Sequence, residues 1–134
     1  MQASSQHVSP TKGRLWAGRI ISAIPIAMLL FSAVMKFFRP PSVVQGFAHY
    51  GYPESMIVVT GALELACTIV YAVPRTAVLG AILMAAYLGG ATATNVRVGD
   101  SVFFVPVLLG ILAWLGLFLR EDRLRALLPL RSTK

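Results

Sequence analysis

Glu64 is the one acid in this 134-residue chain that lies inside an apolar run, so any chemistry has to start there. A carboxyl group among apolar side chains must find partners or stay protonated. It can then fix helix registry, donate or accept a proton, or anchor the polar group of a ligand. Thr60, Cys67, Thr68 and Tyr71 stand at i−4, i+3, i+4 and i+7 from it, a spacing that predicts a polar stripe on one helical face. Counting a rise of about 1.5 Å per residue places Glu64 level with Met84 to Leu88 of the following apolar run, where Tyr87 is the natural hydroxyl partner. Asn95 faces roughly the same way as Tyr87 and is expected to close the mouth of a pocket that reaches Glu64. Lys36 ends the preceding apolar run at that same level, either sending its ammonium to the membrane interface or joining the pocket. The candidate ligand pocket is therefore Thr60, Glu64, Cys67, Tyr87, Asn95 and Lys36, with Glu64 as the candidate catalytic group.

Several chemistries have no residues to carry them. Cys67 is the only cysteine, and His7 and His49 have no ligand spacing, so neither a metal site nor a disulfide is expected. No Ser-His-acid set, glycine-rich phosphate loop or paired-carboxylate site can be assembled from the remaining residues.

The chain that must position Glu64 is 57% hydrophobic and only 13% charged, with a mean hydropathy of +0.74. Soluble domains carry about a quarter charged residues, so the composition points to a lipid bilayer. The net charge of +7 does not indicate nucleic acid. The basic residues sit at the ends of apolar runs, which is the membrane pattern, and not clustered with aromatics on a surface.

Four runs are expected to span the membrane, at about 15–38, 55–73, 76–96 and 102–119, forming one four-helix domain over residues 15–120. Pro25 lies inside the first and predicts a kink. This run follows basic residues as a signal peptide would, but lacks a small-residue cleavage pattern and reads as a retained helix. Pro40-Pro41 ends it, and the stretch from Ser42 to Tyr50 reads as a short amphipathic helix or loop at the surface. Pro74 makes a tight corner after which Thr76 can cap the third span, and Asp100 or Ser101 can cap the fourth. Residues 1–14 read as a disordered N-terminal tail. Residues 121–134 read as a basic amphipathic tail, lying on anionic headgroups or simply solvated. With four spans both termini share a side, and nine of the twelve Lys and Arg fall there, against Lys36, Arg39 and Arg97 on the other. Both termini are thus expected in the cytoplasm. Ala81, Ala85, Gly89 and Ala93, with Ala86, Gly90 and Thr94, repeat every four positions and predict a close-packing ridge.

Leu30-Phe-Ser-Ala-Val-Met-Lys36, Gly51-Tyr-Pro53, Leu63-Glu-Leu65, Pro74-Arg-Thr-Ala-Val-Leu-Gly-Ala81 and Tyr87-Leu-Gly-Gly-Ala-Thr-Ala-Thr-Asn-Val-Arg97 together resemble the DoxX-like group of small four-span membrane proteins. The resemblance runs from Arg19 to Leu130. It implies an all-α bundle in the bacterial cytoplasmic (plasma) membrane and a link to quinone-dependent redox or stress-protection systems. Its pattern often has an acid where this chain has Ser32 and a histidine where it has Asn95, so a proton relay through that pair is not carried over. Three functions follow as expectations. The first is an accessory membrane protein with a lipophilic pocket near Glu64, for which a quinone is one candidate ligand. The second is a membrane-embedded enzyme, isomerase-like, using Glu64 for proton transfer on a hydrophobic substrate. The third is a non-catalytic assembly or packing subunit that forms homo-oligomers or binds a redox partner.

Overall fold

The computed structural model describes residues 11–127. Most of the expected N-terminal tail and the end of the C-terminal tail lie outside them. Within them every regular element is helical: α1 (Lys12–Phe38), α2 (Pro41–His49), α3 (Ser55–Ala72), α4 (Ala77–Arg97), α5 (Phe104–Arg120) and α6 (Asp122–Leu127), with 3-10 turns at Pro74–Thr76 and Ser101–Phe103. The segments Lys12–Phe38, Ser55–Ala72, Pro74–Arg97 and Ser101–Arg120 are long and apolar enough to cross a membrane. The first starts earlier than the apolar run suggests because the Thr11 hydroxyl caps it, accepting from the Arg14 amide. It also runs unbroken past Pro25, which is buried in the bundle.

The buried positions explain why these helices associate. On α1 they are Gly18, Ser22, Pro25, Leu29 and Ala33, and on α3 they are Ile57, Gly61, Glu64, Thr68 and Tyr71. Both sets advance by steps of three or four, a seam that keeps facing a neighbour at a shallow crossing angle. The four long helices close a ring in which α1 packs on α3 and α5, and α4 packs on the same two. Outside the seams large apolar side chains face outward, Phe31 and Phe38 at 68% and 79% exposure among them, as expected where lipid is the solvent.

Glycine sets the closest approaches. A Cβ on Gly18 would stand 2.9 Å from the Gly116 carbonyl oxygen, and one on Gly116 would strike Ser22. A Cβ on Gly80 would strike the Tyr71 backbone, which fixes the α3–α4 hairpin. The expected ridge is only partly used. Ala81 is fully buried, but Ala85, Ala86, Gly89, Gly90 and Ala93 are exposed, and a Cβ on Gly89 or Gly90 would meet nothing within 4 Å.

Two expected caps are made differently. The Thr76 hydroxyl donates backward to the Val70 carbonyl at 2.7 Å, satisfying the end of α3 instead of the start of α4. Neither Asp100 nor Ser101 caps the following helix through its side chain; Asp100 pairs with His49 at 3.2 Å.

Near the end of the bundle that holds the start of α1, a buried polar knot ties three helices. Tyr71 is fully buried, and its hydroxyl donates to the Ala113 carbonyl at 2.6 Å and to Ser22 Oγ at 3.1 Å. The Arg120 guanidinium also donates to Ser22 at 3.1 Å and lies over the Tyr71 ring. Arg14 pairs with Asp122 at 2.5 Å and donates to the Leu119 carbonyl, joining α1 to α6 and to the end of α5.

Candidate functional site

The far half of the bundle holds a second polar group, and here the partners are charged. Lys36 Nζ lies 2.6 Å from Glu64 Oε2 and 2.7 Å from Ser32 Oγ, and Ser32 Oγ donates to the same carboxylate oxygen at 3.2 Å. The Glu64 and Lys36 side chains are only 2% and 14% exposed. The geometry follows from local rules. Glu64 occupies the centre of the α3 seam, so it must face α1 and α4. Helical side chains lean toward their own N-terminus, so Lys36 leans back down α1, over Ser32 one turn earlier, and into the bundle. Gly61 leaves room for this, since a Cβ there would stand 3.0 Å from Lys36 Cβ.

An ammonium beside a carboxylate supplies the partner that a buried acid needs, and removes the need for Lys36 to reach the interface. The hydrogen bonds at 2.6 and 3.2 Å come from α1. Tyr87 stands beside Glu64 on the α4 side.

Two cavities border Lys36 on the α4 side, and Glu64 lines the smaller of them. One, of about 410 Å³, is lined by Lys36, Tyr52, Leu63, Tyr87, Gly90 and Asn95 among others. The other, of about 320 Å³, includes Ser32, Lys36, Glu64, Tyr87, Leu109 and Asn95. Lys36, Tyr50, Tyr87, Ala91 and Asn95 belong to both. Their sizes fall in the range that holds small ligands.

The structure thus gathers Glu64, Lys36, Tyr87 and Asn95 around one space. Thr60 lines the larger cavity, but its hydroxyl donates to the Met56 and Ile57 carbonyls of its own helix. Thr68 likewise donates to the Glu64 carbonyl at 2.7 Å. The two threonines of the expected polar stripe on α3 are therefore spent on their own backbone, while Tyr71 and Glu64 bond other helices. Cys67 is half-buried against the apolar core and lines neither cavity.

The residues that sequence reasoning missed come from the stretch read as a short amphipathic helix or loop at the surface and from the turn just after it. Tyr50 lines both cavities, and Phe47 and Tyr52 line the larger one. No residue of α2 is buried, and polar links tie this segment to the far end of α4. The Tyr50 hydroxyl donates to Asn95 Oδ1 at 3.0 Å, Tyr52 shares a hydrogen bond with Thr94 at 3.0 Å, and Arg97 donates to the Tyr50 carbonyl. Burial pushes the Tyr50 phenol up, and the nearby Asp100 carboxylate adds to the shift, so it remains a donor at neutral pH. The signal was available in the aromatic density of Phe47-Ala-His-Tyr-Gly-Tyr52 between two proline stops. Tyr50→Phe should cost about 1 kcal/mol of local stability, seen as faster amide exchange across residues 41–52 with the four long helices unchanged.

Among the described residues, no group of three or more His, Cys, Asp and Glu could hold a metal. The donor inventory is short. The Lys36 ammonium has three N–H donors and spends two on Glu64 and Ser32. Asn95 Nδ2 donates to the Ala91 carbonyl at 2.8 Å, leaving its second N–H.

A family model described as the DoxX-like family matches residues 20–116. That stretch contains Ser32, Lys36, Glu64, Tyr87 and Asn95. Neither a curated protein nor a solved structure matches the chain.

Proposed function

The chain belongs to the DoxX-like family of membrane proteins, and on that premise we propose that it binds a neutral lipophilic molecule of the quinone class as an accessory component of a membrane redox or stress-protection system. The observation that carries this reading is the neutralised pair itself. Because Glu64 already compensates the Lys36 charge at 2.6 Å, the cavity favours neutral head groups over anionic ones. Remaining donors on Lys36 and Asn95, two residues that line both cavities, suit a ring carrying two carbonyl acceptors. The otherwise apolar walls suit a hydrocarbon tail, and exposed Leu63 and Gly90 line the larger cavity on its bilayer side.

The membrane in this reading is the bacterial cytoplasmic membrane, with both termini in the cytoplasm. The basic-residue asymmetry supports that orientation. It is sharpened by Lys36, which turns into the bundle and leaves Arg39 and Arg97 as the basic residues on the far side.

Ala91 borders both cavities and takes no part in the ion pair. Ala91→Phe should fill the space and weaken binding of a short-chain benzoquinone to protein in lipid nanodiscs by roughly tenfold or more, a loss of at least about 1.4 kcal/mol. The helical circular dichroism should be unchanged. Equal affinity in the two proteins would place the ligand elsewhere, and no binding to either would remove the quinone class.

A further inference from the structure

We propose that Lys36 is a covalent attachment site for long-chain aliphatic aldehydes, forming a protonated Schiff base with Glu64 as its counterion. The inference shares with the preceding reading only the need for the cavity to admit molecules dissolved in the bilayer. Its own basis is the chemistry around one nitrogen. Lys36 borders three cavities, the third of about 370 Å³ beneath α2 with Phe31, Met35 and Phe47 in its wall. Few nucleophiles are so placed. A lysine held in an apolar pocket beside a proton acceptor is the arrangement that makes an amine reactive toward carbonyls.

The step balances with the residues present. Glu64 Oε2, at 2.6 Å, accepts one proton from the ammonium and frees the nitrogen lone pair. The amine nitrogen forms a bond to the aldehyde carbon while the carbonyl π bond breaks toward oxygen. Ser32 Oγ, hydrogen-bonded to both Lys36 and Glu64, can pass a proton from nitrogen to that oxygen. Glu64 then returns its proton to the carbinolamine hydroxyl, which leaves as water as the C=N bond forms. Nothing is oxidised or reduced. The cation of the iminium replaces that of the ammonium, so the buried carboxylate has a counter-charge both before the reaction and after it.

Arginine would hold the carboxylate as well as lysine does but cannot form an imine, which makes Lys36→Arg the informative variant. The chain has only two other lysines, Lys12 and Lys134, and these serve as internal controls. Protein in lipid nanodiscs is incubated with hexadecanal, reduced with cyanoborohydride and mapped by peptide mass spectrometry. The expected result is a hexadecyl adduct concentrated on Lys36, lost in Lys36→Arg, with Lys12 and Lys134 at the same background in both proteins. Labelling of Lys36 no greater than that of Lys12 and Lys134 overturns the proposal, and this comparison within the wild-type chain does not depend on the variant folding. Benzoquinone binding without an adduct defeats this inference alone, and an adduct without quinone binding defeats only the preceding reading.

Discussion

Lys36→Met is expected to destabilise the bundle by roughly 3–5 kcal/mol, because it strands the Glu64 carboxylate in a site that is 2% exposed. Methionine keeps the length and apolar stem of lysine, so packing over Gly61 is largely preserved and the loss reports on charge. Adding Glu64→Leu should recover most of it, since a well-packed apolar pair often matches or exceeds a buried ion pair. The cycle is read from reversible unfolding in mixed micelles. A single substitution within about 0.5 kcal/mol of wild type would show that Lys36 lies at the interface and not against Glu64. The double variant would keep the fold and lose the site, which separates the stability of this protein from its chemistry.

Gly80→Leu should be at least as damaging, for a purely steric reason. Its Cβ would land on the backbone of Tyr71, and no rotamer change can move a backbone aside. Even Gly80→Ala should cost about 1–3 kcal/mol, the usual range for overpacking a filled core. Gly89 lies on the same helix and provides the contrast. A Cβ there meets nothing within 4 Å, so Gly89→Ala should be neutral or stabilising by roughly 0.5–1 kcal/mol through helix propensity. Thermal unfolding of the two alanine variants tests this directly. Equal effects at both positions would contradict the close α3–α4 contact.

The fold was legible because its causes are local. Apolar length predicts the four spans, and proline and glycine corners divide them. Three-and-four spacing already aims Glu64, Thr68 and Tyr71 inward, and all three are buried; it also named Thr60 and Cys67, which are half-buried, and not Ile57 and Gly61, which complete the seam. The site was legible only in part. Lys36 has two physically reasonable destinations, and hydropathy does not distinguish them; the direction in which helical side chains lean does. Thr60 has the right spacing, but a threonine in a helix can satisfy itself on its own backbone, and here it does so. The contribution of Tyr50 could not be derived from periodicity, since it depends on how a short segment folds back over the end of α4. The small-residue ridge shows the same limit. Spacing says where backbones can approach, and only the tertiary arrangement shows that Gly80 uses this freedom while Gly89 and Gly90 do not.

The central claim is that the space between Lys36, Glu64, Tyr87 and Asn95 holds a neutral molecule with an apolar tail. Mass spectrometry of the small molecules that leave the membrane with the protein in detergent-free polymer particles tests it most directly. The account expects a dicarbonyl ring compound with an isoprenoid tail, enriched over the surrounding lipid in wild type and depleted in Ala91→Phe. The same lipid composition in both proteins, with no such compound enriched, would contradict it.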